Sequence, residues 1–217
     1  EERLPSQELT LAYLKYTQNF DDEEMNYWAG QASLKIKSYA RAFGFYKAAA
    51  NLIVKNGTKN SGKRFEGSLL GAIEAAELSK NIDLRVQAYT LYLDLNANGN
   101  KRNEVRYQLA HSFYERNDYK QAVIEFRKLA LDTTMSMDLR EKSADLCLDT
   151  DVLLKNEDQI ETHSLEFANS LKSKSGEYLA IWRKSILNGS AAVINTQKSD
   201  DADKDQLKKL SSLSLKN

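Results

Sequence analysis

The sequence predicts an all-α protein built of antiparallel helical hairpins. Three observations lead there. The 217-residue chain holds one proline and nine glycines, few of the two residues that cost most inside a helix. Apolar residues recur at three- and four-residue steps in segment after segment, the period of a helix with one buried face. The stretch Asn103 to Asp132 reads as two such helices joined by the tight turn Arg116-Asn117-Asp118.

That stretch shows how a hairpin packs. Val105, Leu109, Phe113 and, more weakly, Tyr114 mark the inner face of its first helix; Tyr119, Ala122, Phe126 and Leu129 mark that of the second. At Ala110 and Ala122 only a methyl group separates the backbones, so the helices can approach closely. Phe113 and Phe126 then fill the space beside that contact. Leu109-Ala110 with Phe113, Ala122 with Phe126 and Leu129, and the turn Asn117-Asp118-Tyr119 resemble the tetratricopeptide repeat, a helix-turn-helix unit of about 34 residues. Two departures stand out: Arg106 replaces the usual first-helix Trp, and no Pro ends the unit. The resemblance implies an α-solenoid of stacked antiparallel hairpins wound into a right-handed superhelix.

Taken in order, residues 1–20 form a lead-in with Pro5 and an N-terminal helix of a truncated repeat or cap, with Leu9, Ala12, Tyr13 and Tyr16 on one face. The chain begins at Glu1, which suggests a cut from something longer. The first hairpin spans 21–54. Its acids Asp21 to Glu24 favour a helix start, Ala29-Gly30 occupies the small-residue position, Ser38-Tyr39 turns the chain, and Ala42, Tyr46 and Ala49 take the second-helix positions. Gly44 costs roughly 1 kcal/mol of helix propensity, a cost that close packing would explain. Residues 55–64 read as a solvated loop. Hairpins follow at 65–96, with Tyr89 and Tyr92 inward, at 103–132, and at 138–171, with Leu165 and Ala168 inward and Asp149 at the small-residue position. The second-helix anchors Tyr13, Tyr46, Tyr89, Phe126 and Leu165 are 33, 43, 37 and 39 residues apart, a spacing typical of helical-hairpin repeats. Residues 176–217 supply C-terminal helices at Glu177 to Ile194 and Asp205 to Leu215 that cap the array; the alternative for the last segment is a frayed tail.

The composition bounds function. With 31 basic and 31 acidic residues, the chain lacks the charge signature of a nucleic-acid binder. Cys147 is the single cysteine, which excludes an internal disulfide and a cysteine-based metal cluster. No apolar run approaches the roughly 20 residues that span a bilayer. Asn56-Gly57-Thr58 and Asn188-Gly189-Ser190 match the glycosylation sequon, a short motif that arises often by chance.

No motif for catalysis stands out, neither a P-loop nor G-x-S-x-G nor H-E-x-x-H. His111 and His163 lie too far apart in sequence for a local metal pair; His111 reads as groove-facing or exposed, His163 as a helix-surface residue. Glu74, Glu77, Asp145, Asp149 and Asp151 read as solvated helix faces. Cys147, between Leu146 and Leu148, reads as an inert packed thiol, and Trp28 and Trp182 as packing residues. The expectation is a non-enzyme with no catalytic residue, no metal and no cofactor.

In the family it resembles, first helices line a concave groove that meets ligand. The resemblance places Tyr27, Gln31, Leu34 and Lys35 there in the first hairpin, Leu70 and Glu74 in the second, and Tyr107, His111, Tyr114 and Glu115 in the third. This lining is mixed and Tyr-rich, and Tyr often anchors interfaces; the alternative is that these tyrosines pack neighbouring repeats. It lacks the Lys/Asn/Arg clamp by which some family members hold a C-terminal carboxylate. The implied function is a protein–protein interaction scaffold or adaptor that takes a partner peptide or domain, in assembly of a bacterial envelope or motility complex. The alternative is the non-catalytic superhelical domain of a larger cell-wall-processing or group-transfer enzyme. The expected partner is a protein or peptide, without nucleic acid and without direct membrane insertion. Composition leans toward the bacterial periplasm or envelope over the cytoplasm, and the sequence leaves the oligomeric state open.

Overall fold

The computed structural model describes residues 7–58 and 64–188. The proposed lead-in, the middle of the 55–64 loop, the second sequon and the last expected helix fall wholly or partly outside them. Among the described residues the chain is all-α, with ten α-helices: α1 (Gln7–Thr17), α2 (Glu23–Lys35), α3 (Tyr39–Lys55), α4 (Arg64–Leu78), α5 (Ile82–Leu95), α6 (Arg102–Glu115), α7 (Tyr119–Leu131), α8 (Met137–Leu153), α9 (Glu157–Ser170) and, after a short 3-10 turn at Lys172–Lys174, α10 (175–188). Helices pack on their neighbours in sequence. The chain divides into two compact units, 1–125 and 126–217, the division falling within α7. In the first unit α1 packs on α2, α2 on α3, α3 on α4, α4 on α5 and α5 on α6, while α2 also meets α4 and α3 meets α5. That second set of contacts is what stacked hairpins produce.

The turns show the repetition most directly. Four of them place one non-glycine residue in the left-handed region: Lys37 (φ 61°), Lys80 (φ 56°), Asn117 (φ 61°) and Lys155 (φ 54°). Each follows the first helix of a hairpin, and each is followed by Ser38, Asn81, Asp118 or Asn156, polar residues suited to the start of the next helix. At three of the turns the next N–H reaches back to the helix end, Ser38 to Ser33 O (2.8 Å), Asp118 to Phe113 O (2.9 Å) and Asn156 to Asp151 O (3.1 Å). These bonds satisfy carbonyls that a helix end leaves open. At the fourth, Ser79 Oγ accepts from the Asn81 N–H instead (3.1 Å). The acidic start of α2 behaves as expected: Asp22 Oδ1 accepts from the Glu24 and Met25 N–H groups, both at 2.9 Å.

The core of the first unit centres on Tyr46. It is fully buried in one core cluster with Ala42, Ala50, Leu69, Ala72, Ala75 and Ala76. A methyl group added at Gly30 of α2 would lie 2.8 Å from the Tyr46 ring, and one at Gly71 of α4 would lie 2.6 Å from it. The tyrosine ring therefore occupies a notch that exists only because both flanking positions lack a side chain. Tyr89 and Tyr92 of α5 are buried in the same core.

In the second unit, Phe126, Leu129 and Ala130 of α7, Ala144, Cys147 and Leu148 of α8, and Phe167, Ala168 and Leu171 are buried. Arg140 is buried too, its Nε donating to Ala130 O (3.0 Å) and its Nη2 to Ser170 O (3.5 Å). A cation there meets the negative ends of two helices. Tyr178 and Lys174 both bind the Asp145 carboxylate, at 3.0 and 2.8 Å.

Several expectations need correction. The contact face of α1 is Thr10, Tyr13, Leu14 and Thr17, rotated from the expected one; Leu9, Ala12 and Tyr16 are exposed. Leu165 is also exposed, and Phe167 and His163 fill the inner face of α9 instead. Asp149 points out, and Ala144 and Cys147 provide the small face of α8. Trp28 is exposed, donating from Nε1 to Glu24 (3.3 Å). Gly44 is exposed with nothing within 4 Å of an added methyl, so close packing does not account for it.

The glycines make opposite predictions. Gly71→Ala should lower stability by roughly 1–3 kcal/mol through overpacking against Tyr46. Gly44→Ala should raise it by up to about 1 kcal/mol through helix propensity alone. Thermal melts of the two variants beside wild type check this; a Gly71→Ala melt at or above that of wild type would contradict the notch.

Candidate functional site

The residues expected to line a groove all lie in the first unit, on α2, α4 and α6. Their environments fall into three groups. On α2, the Tyr27 hydroxyl accepts from Gln31 Nε2 (3.2 Å), and the Tyr27 ring stands edge-on to Tyr46, with centroids 5.9 Å apart. Tyr27 and Leu34 are half-buried against the core, whereas Lys35 is exposed. Tyr27 thus packs as well as presents a surface, a dual role open to an amphipathic aromatic.

At the end of α6, Tyr107, His111 and Tyr114 form a row, with successive ring centroids 6.4 and 6.3 Å apart, and Tyr114 meets Tyr119 edge-on at 5.5 Å. Glu115 is held from two sides. It pairs with Arg85 of α5, and His111 Nδ1 lies 3.0 Å from its Oε1. Burial pushes the Glu115 carboxyl upward, but Arg85 and then His111 outweigh it and hold the carboxyl below its ordinary value. These residues are therefore partly committed to tying α5 to α6.

The third group makes a cleft. Leu70 and Glu74, the two positions expected on α4, open onto a cleft of about 280 Å³ between α4 and α6, with α5 at its floor. Glu77 and Ile73 continue the α4 wall. Lys101, which precedes α6, lines the other side with Glu104, Val105 and Gln108 of α6, and Tyr89 of α5 also lines the cleft. Helical spacing explains the lining: 70, 73, 74 and 77 share one face of α4, and 104, 105 and 108 share one face of α6. The Tyr89 hydroxyl donates to Glu77 Oε1 (2.8 Å). Burial, and then this bond to a carboxylate, push the Tyr89 phenol well above its ordinary range, so it stays a donor. Three carboxylates, Glu74, Glu77 and Glu104, outnumber the single ammonium of Lys101 in the lining, which gives the cleft a negative character suited to a cationic side chain. Glu77, Tyr89, Lys101, Glu104 and Gln108 were not anticipated as site residues. Glu77 carried a signal, one turn after Glu74; the α6 residues carried only their spacing.

A separate cluster lies in the second unit. Cys147, Asp151 and His163 are all buried, and their donor atoms lie within 4.8 Å of one another. His163 is therefore not a surface residue, and Asp151 is not on a solvated face: they are 4% and 0% exposed. The fold joins two residues one turn apart on α8 to one on α9, a juxtaposition that sequence distance concealed.

Compared with known proteins, the chain matches no protein-family model and no curated sequence.

The ion pair at the end of α6 has a pH signature. A carboxyl held below its unfolded value of about 4.3 contributes stability that is complete above that value and is lost as pH falls through the folded one. Replacing Arg85 by Ala should move the Glu115 midpoint upward in an NMR titration and shrink the acid-limb loss of stability. An unchanged Glu115 titration would contradict the pairing.

Proposed function

We propose that the chain is a non-enzymatic, tetratricopeptide-like repeat protein that binds a protein or peptide partner on the first-helix faces of its first unit. The observation that carries this reading is the cleft between α4 and α6. It opens between successive first helices, where Leu70 and Glu74 stand, and its walls offer apolar area at Leu70 and Ile73 beside three carboxylates. A partner segment that inserts a lysine or arginine between Glu74, Glu77 and Glu104 satisfies both features: the aliphatic stem packs on the apolar wall while the charged head meets the acids. Tyr107 and Tyr114, farther along α6, extend the contact surface.

The fold does not by itself dictate this function; the cleft's chemistry supports it. The hydrogen bond from Tyr89 to Glu77 positions one carboxylate in advance, which reduces the ordering cost of binding.

The test is affinity capture from lysate and envelope fractions of the source cell. Wild type is compared with the double variants Glu74→Lys/Glu104→Lys and Tyr107→Ala/Tyr114→Ala, each checked for helicity. The expected result is a partner held by wild type and weakened at least tenfold, about 1.4 kcal/mol, by the charge reversal. Binding should also weaken as salt is raised. A partner retained equally by the folded charge-reversal variant would place the interface elsewhere.

A further inference from the structure

We propose that Cys147, Asp151 and His163 form a buried site for Zn²⁺ or a similar thiophilic divalent cation, which cross-links α8 to α9. Cys147 and Asp151 stand four residues apart on α8 and so present their side chains on one face, one turn from each other. His163 projects from α9 toward both. Its Nδ1 lies 2.7 Å from Asp151 Oδ2 and 3.7 Å from Cys147 Sγ, and Cys147 Sγ lies 4.0 Å from Asp151 Oδ2. The three side chains are sealed from solvent, Cys147 and Asp151 completely.

The second observation concerns the carboxylate itself. Asp151 Oδ1 is buried and makes no hydrogen bond among the described residues. A buried carboxylate oxygen without a partner is costly, and the His163 bond uses only the other oxygen. Nearby charges do not supply the missing partner: the Arg127 guanidinium is tied by two bonds to Glu166, Nε to Oε2 at 2.7 Å and Nη2 to Oε1 at 2.5 Å. A cation held by the cluster would sit beside this oxygen and offset that cost.

Geometry and charge both suit the metal. Zn²⁺ binds thiolate sulfur at about 2.3 Å and imidazole nitrogen or carboxylate oxygen at about 2.0–2.2 Å, so neighbouring donors on a tetrahedron stand roughly 3.3–3.6 Å apart. The two sulfur distances already lie within about half an ångström of that range. The nitrogen–oxygen pair must open by roughly 0.6 Å as the metal replaces the hydrogen between them. Binding forms a sulfur–metal, a nitrogen–metal and an oxygen–metal bond. The thiol hydrogen leaves as a proton, and the imidazole stays neutral by carrying its hydrogen on Nε2 instead of Nδ1. Thiolate, carboxylate and dication then sum to zero charge, which a buried site requires. Thiolate and imidazole together select Zn²⁺ or Co²⁺ over Mg²⁺ and Ca²⁺, which prefer oxygen. Phe167 stacks on the His163 ring, with centroids 6.0 Å apart, and keeps one side of the site apolar. The three protein donors hold the ion between α8 and α9 and leave its fourth tetrahedral position to a water.

The experiment uses the full chain, stripped with a chelator, confirmed helical by circular dichroism and then loaded with Zn²⁺ or Co²⁺. Wild type should retain about one equivalent after desalting, as a single site requires, and its melting temperature should rise with free metal. The Co²⁺ form should show thiolate-to-metal charge-transfer absorption in the near ultraviolet. Cys147→Ser should abolish that band, His163→Gln should weaken binding at least tenfold, and His111→Ala should do neither. Folded wild type that retains no metal, or that binds Co²⁺ without the thiolate band, overturns the proposal. These two readings come from wild type alone, so they decide the matter even if a variant fails to fold.

Discussion

The first unit depends on one steric constraint, the insertion of the Tyr46 ring between two backbones. Gly30 and Gly71 leave the space and Tyr46 fills it, so α2, α3 and α4 meet at one point where any added methyl would collide. The contact joins a first helix, its own second helix and the next first helix, which is the step that converts separate hairpins into a stack. The small residues around it, Ala42, Ala72, Ala75 and Ala76, let the helices approach closely enough for the ring to be gripped. Burial pushes the Tyr46 phenol well above its ordinary range, consistent with a ring whose role is to fill volume.

Much of this was legible in the sequence. Tyr46, Ala42 and Ala49 stand at expected positions because three- and four-residue apolar spacing reports helical burial directly. The turn Arg116-Asn117-Asp118 was also readable, since Asn tolerates a left-handed backbone. The turn at Ser38-Tyr39 was placed too, but the left-handed residues Lys37, Lys80 and Lys155 were not, because lysine carries no such signal and the conformation is imposed by the helices on either side. The α1 face was misread by one position, and Leu165 was taken for a core residue in place of Phe167. Both errors arise where several apolar residues offer competing stripes and only the neighbouring helix decides among them.

The candidate sites divide in the same way. Leu70 and Glu74 could be placed on an exposed first-helix face, but the cleft they open onto needs α6 alongside and Tyr89 beneath, which are tertiary facts. The Cys147, Asp151 and His163 cluster lay further out of reach. A lone cysteine between leucines and a histidine in a polar helix look inert separately, and only the pairing of α8 with α9 brings them within bonding range. The two sites also differ in kind. The cleft is open and negatively charged, suited to reversible contact with a cationic side chain, whereas the cluster is sealed and suited to holding α8 and α9 together.

The most direct test of the stacking account is native-state hydrogen exchange across α2 to α5 over a series of denaturant concentrations. If Tyr46 locks the hairpins together, the slowest amides of α2–α3 and α4–α5 should converge on one opening free energy and one denaturant dependence, as a single cooperative unit. Separate opening of the two hairpins, with distinct free energies that never merge, would contradict the claim that this contact governs the stack.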